Sequence, residues 1–123
     1  MDLTLQGRTV VRVCFDAAVT ILTADTYELR LETPAVITTA DGGRIPFDPE
    51  KPGTAAATLV SLFGQEISRF AMAEAGDLSI TFTNGMGLAT AADADYEAWT
   101  LTGPGGLLVV CRPGGGTAVW SGR

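Results

Sequence analysis

No histidine occurs among the 123 residues. That absence removes the side chain most used as a general base near neutral pH. It excludes a Ser-His-Asp triad and a Cys-His nucleophile. Ser61, Ser68, Ser79 and Ser121 are left with no evident activating partner. Lysine is represented by Lys51 alone, and the eight basic residues stand against fourteen acidic ones, a formal net charge of −6. Such a chain repels phosphate backbones, so nucleic acid is not an expected partner, whereas a basic protein is compatible with the charge. No apolar run approaches the ~18 residues of a membrane helix. The opening Met1-Asp2-Leu3-Thr4-Leu5-Gln6-Gly7 lacks the basic and apolar regions of a signal peptide. A cytoplasmic protein with no membrane association is expected. Cysteine is limited to Cys14 and Cys111. In a reducing compartment both are expected as buried free thiols, and two lone cysteines make no zinc site.

What the sequence does contain is apolar residues, at 46%, and frequent turn residues, including fifteen glycines and six prolines. That suffices for one domain with a real core. The hydrophobic pattern is mostly of period two, the signature of strands. In residues 9–15, Val11, Val13 and Phe15 alternate with Val10, Arg12 and Cys14. In residues 27–32, Tyr27, Leu29 and Leu31 alternate with Glu28, Arg30 and Glu32. Pro34 then interrupts the ladder, because it has no N–H to donate. Residues 35–39 and 44–47 read as a hairpin across Asp41-Gly42-Gly43. Asn84-Gly85 reads as a type I′ turn. The glycine-rich strings at 103–106 and 113–116 separate the last three strand-like runs. Thr54 is the expected N-cap of a short helix over residues 55–62, with Gly64 soon after its end.

The chain also carries an imperfect copy of itself. Gly7-Arg8-Thr9-Val10-Val11-Arg12-Val13 matches Gly64-Gln65-Glu66-Ile67-Ser68-Arg69-Phe70, so that Gly7, Val10 and Arg12 align with Gly64, Ile67 and Arg69. An alternating run follows each copy, and the second needs a two-residue insertion to align there. Internal similarity constrains a fold more than a function. The expected architecture is mainly β: an antiparallel sandwich or partly open barrel of nine or ten short strands. Two related halves, 1–47 and 64–123, flank a linker and helix at 48–63.

Few residues suggest chemistry. Asp25-Thr26-Tyr27 begins like an aspartic-protease motif but lacks its glycine, so Asp25 reads as a turn residue. Asp93, Asp95 and Glu97 alternate like the start of an EF-hand loop. Ala98 stands where that loop requires glycine, and Pro104 where it requires a bidentate Glu. The segment is read as a solvated acidic loop, and no metal is expected. Gly114-Gly115-Gly116 has no lysine beside it, as a phosphate-binding loop would, so no cofactor is expected. Arg12 and Arg69 could bind an anion, but pairing with Glu28 or Glu32 across a strand is the favoured reading. Trp99 and Trp120 could stack on a ligand, but on apolar strands they are expected to anchor a core.

Tyr96-Glu97-Ala98-Trp99, Gly103-Pro104-Gly105-Gly106, Pro113-Gly114-Gly115 and Ala118-Val119-Trp120 together form a recognisable C-terminal pattern. It extends back through Asn84-Gly85, Asp77-Leu78 and Gly64 to Leu5-Gln6-Gly7. On these residues the chain resembles small actinobacterial proteins classed as a domain of unknown function. The resemblance implies a compact cytoplasmic protein and supplies no catalytic residues. The expected function is therefore a non-catalytic binding or protein-interaction module. One form of it is an acidic inhibitor, such as an immunity protein, facing a basic target. A small-molecule-binding β domain and a self-associating structural protein are the alternatives. Arg12, Arg69, Asp93, Asp95, Glu97, Trp99 and Trp120 are the candidate interaction residues.

Overall fold

The computed structural model describes residues 5–121. The first four residues, on which part of the signal-peptide reading rests, lie outside that range. Among the described residues the chain forms eleven strands, against the nine or ten expected. They are β1 (Val10–Phe15), β2 (Val19–Thr23), β3 (Glu28–Leu31), β4 (Ala35–Thr38), β5 (Arg44–Phe47), β6 (Ile67–Met72), β7 (Leu78–Phe82), β8 (Gly87–Thr90), β9 (Trp99–Gly103), β10 (Leu107–Cys111) and β11 (Thr117–Trp120). One helix, α1 (Ala55–Val60), and a 3-10 turn at Pro104–Gly106 complete the secondary structure. The helix is shorter than expected. Thr54 stands at its N-cap in a helical conformation, and its hydroxyl makes no capping bond. Burial of Ala55 and Leu59 holds this short helix, which propensity alone would not.

The strands build two antiparallel sheets, ordered β1-β2-β3-β9-β10-β11 and β5-β4-β8-β7-β6. No barrel closes. The chain lays three strands in the six-stranded sheet and crosses to the other for β4 and β5. After α1 it lays β6, β7 and β8 beside β4, then crosses back. Each crossing buries the inner face of one sheet against the other. Ile21, Leu29, Leu31, Trp99, Leu101 and Val109 supply one side of the core, and Ile37, Ile67, Leu78, Ile80, Phe82 and Leu88 the other.

The backbone bonds around the two Gly-opened segments correspond pair by pair. Gly7 N–H donates to Ile67 O at 2.7 Å, and Gly64 N–H to Val10 O at 2.8 Å. Val10 N–H donates to Gln65 O at 2.9 Å, and Ile67 N–H to Arg8 O at 2.8 Å. These bonds tie the starts of β1 and β6 together, joining the two sheets at one corner. Ala24 N–H to Thr9 O recurs as Thr83 N–H to Glu66 O. These two edge strands, β1 and β6, also carry a bulge at the same place, between Val10 and Arg12 and between Ile67 and Arg69.

The bulge in β1 corrects the alternation expected there. It turns both Val10 and Val13 toward the core, with Val10 fully buried, and leaves Val11 exposed. Cys14 falls opposite Thr20 on the outer face and is only half-buried, so the expectation of two buried thiols holds for Cys111 alone. Trp120 is the second correction. Its strand is an edge, and it shares an outer-face row with Leu108, Thr102 and Glu28, so it remains 53% exposed. Trp99 sits in the core at 0% exposure. The type I′ expectation at Asn84-Gly85 also fails, because only Gly85 takes a positive φ, 91°. Gly85 N–H donates to Phe82 O and Phe82 N–H to Met86 O, a three-residue loop closed by a glycine bulge.

Candidate functional site

Of the proposed interaction residues, Asp95 and Glu97 come together in the lining of one hollow, and Arg12, Arg69, Trp99 and Trp120 do not join them there. Arg12 and Arg69 lie exposed on different sheets, and among the described residues neither pairs with Glu28 or Glu32. The strand order explains this. Arg12 is opposite Leu22, and β2 separates it from Glu28; Arg69 is in the other sheet. Ion pairs among the described residues include Arg8–Asp25, Arg30–Asp16 and Arg30–Glu32. Arg8 also lies over the Tyr27 ring, 5.0 Å from its centroid, and its bond to Asp25 raises its pKa further. In the acidic loop, Asp93 accepts the N–H groups of Asp95 and Tyr96 at 2.9 and 3.0 Å. That is a local turn, and among the described residues no group of three or more acids, thiols or histidines is placed to hold a metal ion.

An apolar surface hollow was not legible in any motif. Cross-strand register puts Pro46, Val36, Ala89, Ser79 and Ala71 in one row across the outer face of the five-stranded sheet. Pro34, Ala73, Asp77 and Ala91 flank that row, and together these residues line a hollow of about 640 Å³. Its polar groups are largely engaged: Asp77 accepts the Ala92 N–H at 3.2 Å, and the Thr90 hydroxyl donates to the Pro34 carbonyl at 3.1 Å.

The six-stranded sheet shows why the hollow exists. By the register that relates the two bulged hairpins, Ala73, Ala89 and Ala91 stand where the first half has Asp16, Arg30 and Glu32. In the six-stranded sheet Arg30 reaches both acids at 3.3 Å and fills the middle of the outer face. In the five-stranded sheet three methyl groups replace that cluster, and the face stays open. The signal was present in the aligned halves as three Ala-for-charge exchanges, but only the sheet register brings the three positions together.

A second hollow, of about 660 Å³, is acidic and lies near the loop before β9. Glu32, Thr33, Glu50, Asp95, Tyr96, Glu97 and Pro113 line it. Tyr96 is 69% exposed.

The fold and its open face define a mainly β, two-sheet protein with an apolar surface hollow. The chain belongs to the family of unknown function DUF6188, whose model matches residues 1–121. It matches none of the curated proteins and none of the solved structures with which it was compared. No helix among the described residues is long and apolar enough to cross a membrane.

Proposed function

We propose that the chain is a non-catalytic binding module and that the hollow on the five-stranded sheet receives a small, mostly apolar ligand. The observation that carries this reading is the replacement of the Asp16–Arg30–Glu32 cluster by Ala73, Ala89 and Ala91. The resulting volume falls within the ~300–1,000 Å³ of ligand pockets. An apolar concavity with a few polar groups at its rim suits binding. A single carboxylate, Asp77, with no second acid in the lining and no histidine in the chain to activate Ser79, suits binding better than catalysis. The free thiols of Cys14 and Cys111 suit a reducing compartment, and we place the module in the cytoplasm.

Titration with the apolar dye anilinonaphthalene sulfonate tests the reading. The wild-type protein binds one dye, and the triple variant Ala73→Asp, Ala89→Arg, Ala91→Glu weakens binding at least about tenfold, about 1.4 kcal/mol. Its far-ultraviolet circular dichroism stays unchanged. Equal dye binding by the folded triple variant refutes the assignment.

The acidic hollow supports a second reading, an inhibitor of a basic partner. Glu32, Glu50, Asp95 and Glu97 supply like charge around an exposed aromatic ring that suits a guanidinium. An arginine-rich peptide then binds at low salt and is released at high salt. The double variant Asp95→Asn, Glu97→Gln reduces that binding about tenfold. Peptide binding indifferent to both salt and the variant sinks this reading.

A further inference from the structure

The two sheets leave four edges, and they are not alike. β1 and β6 are bulged, carry the exposed Arg12 and Arg69, and are tied to one another at their starts. β5 is blunted by Pro46. Thr39 N–H bonds to Gly43 O, and bonded pairs alternate along an antiparallel ladder, so Ile45 and Phe47 bond to β4 while Arg44 and Pro46 face outward. Pro46 has no N–H to offer an incoming strand. These are devices by which sheets resist edge-to-edge pairing. β11 has none of them. Thr117-Ala118-Val119-Trp120 contains no charge and no proline, and its register with β10 is unbroken.

The same parity argument identifies what β11 offers. Arg112 N–H bonds to Gly116 O, so Ala118 and Trp120 bond to β10, while Thr117, Val119 and Ser121 point their N–H and C=O groups to the open edge. The side chains are exposed as well. Val119 continues the row Ile21–Leu29–Leu101–Val109, whose members are all buried, yet it is itself 40% exposed. Trp120, on the opposite face, is 53% exposed.

We propose that β11 is a self-pairing edge, joining antiparallel to β11 of a second copy about a two-fold axis at Val119. Three observations favour a second copy over other occupants. First, the register is self-complementary. Val119 meets Val119 of the second copy and exchanges both backbone bonds with it, and Thr117 does the same with Ser121. Every outward-facing group of the strand is satisfied. Second, side chains on each face match. Trp120 covers the small Ala118 of the second copy on the outer face, and the two exposed valines cover one another on the inner face. Third, residues 113–121 carry no ionisable side chain, so two chains of charge −6 meet where their repulsion is weakest.

Sedimentation equilibrium on the whole chain tests the proposal. The expected result is a reversible monomer–dimer equilibrium strengthened by added salt, since salt screens the repulsion between acidic copies. That sign is opposite to the release by salt of a basic peptide from the acidic hollow. Val119→Pro removes the central donor without removing a bond within the chain, and Val119→Lys sets two like charges across the axis. Each raises the dimer dissociation constant at least about tenfold. Circular dichroism reports whether each variant stays folded, and the lysine variant serves if the proline disturbs β11. A monomer at every concentration overturns the proposal. So does a dimer whose dissociation constant is unchanged in the folded variants.

Discussion

Thr26 holds a position that four other hairpins give to glycine. In the turns at residues 23–27, 39–43, 73–77, 82–86 and 112–116 the first residue donates to the fifth, and the fourth donates back to the first. The fourth residue has a positive φ in every case: Thr26 at 68°, and Gly42, Gly76, Gly85 and Gly115 between 91° and 111°. A β-branched residue in this region costs about 1–2 kcal/mol, partly offset by the chain entropy glycine loses on folding. Thr26→Gly is therefore expected to stabilise the protein by about 0.5–1 kcal/mol, read as a higher urea midpoint with an unchanged slope. The glycines of Asp41-Gly42 and Asn84-Gly85 announced their turns in the sequence. Asp25 marked the turn at 23–27, but nothing marked the positive φ of Thr26, because threonine is no signal for that conformation.

The two thiols also differ at this scale. Burial pushes the Cys111 thiol above its ordinary pKa, whereas Cys14 lies half-buried on an outer face. An aromatic disulfide reagent is expected to modify Cys14 in the native state and Cys111 only on unfolding. The unfolded chain releases the Cys111 proton near the ordinary value of ~8.5, and the folded chain only above its raised value. Stability from this group is thus complete below ~8.5 and declines as pH rises past it. Urea melts at successive alkaline pH values should show that decline, and Cys111→Ala should lessen it.

At the scale of the element, the hairpin between β6 and β7 explains the two-residue insertion visible in the sequence. The turn between β1 and β2 is tight, with Asp16 N–H bonded to Ala18 O. Its counterpart is longer and carries Gly76 to the far sheet, where the Gly76 carbonyl accepts the Trp99 indole N–H at 2.8 Å. A buried indole N–H left unpaired would cost about 1–3 kcal/mol. The matching position of the first half is Ala35, which needs no acceptor, and there the turn stays short. Gly76 has a φ of 103°, and a Cβ placed on it would lie 2.8 Å from the Cys111 sulfur. Gly76→Ala is expected to cost about 2–4 kcal/mol, from the backbone conformation and the overpacking together, measured by urea denaturation. Strand existence was legible here because alternation of period two is local. Strand bounds and the bulges were less so, since they depend on which neighbour a strand finds. Trp120 shows this: its local pattern matches that of a core strand, and it is exposed because β11 has only one neighbour.

At the scale of the whole molecule, the outer faces carry the functional contrast. The same register that fills one sheet with Arg30 and its two acids leaves the other open over three alanines. Grafting Asp, Arg and Glu onto Ala73, Ala89 and Ala91 is expected to change stability by no more than about 1 kcal/mol, because exposed ion pairs contribute little. Thermal or urea melts of the triple variant check this. A near-neutral effect on stability with loss of dye binding would separate a change in the hollow from a change in the fold. The candidate residues read from the sequence were chosen for chemical conspicuousness: arginines, acids and tryptophans. Apart from Asp77, the hollow is made mostly of alanines, prolines and other small or apolar residues, which are inconspicuous singly and become a surface only as neighbours.

The sequence by itself determined the strands, the turns, the acidic character and the want of a histidine-based catalyst, because each follows from residues close together in the chain or from a count. The order of strands in the sheets, the exposure of Trp120, the open edge at β11 and the hollow over Ala89 were decided by the tertiary structure. Those properties depend on which distant segments lie side by side, and a side chain is covered or bare only once its neighbours in space are fixed.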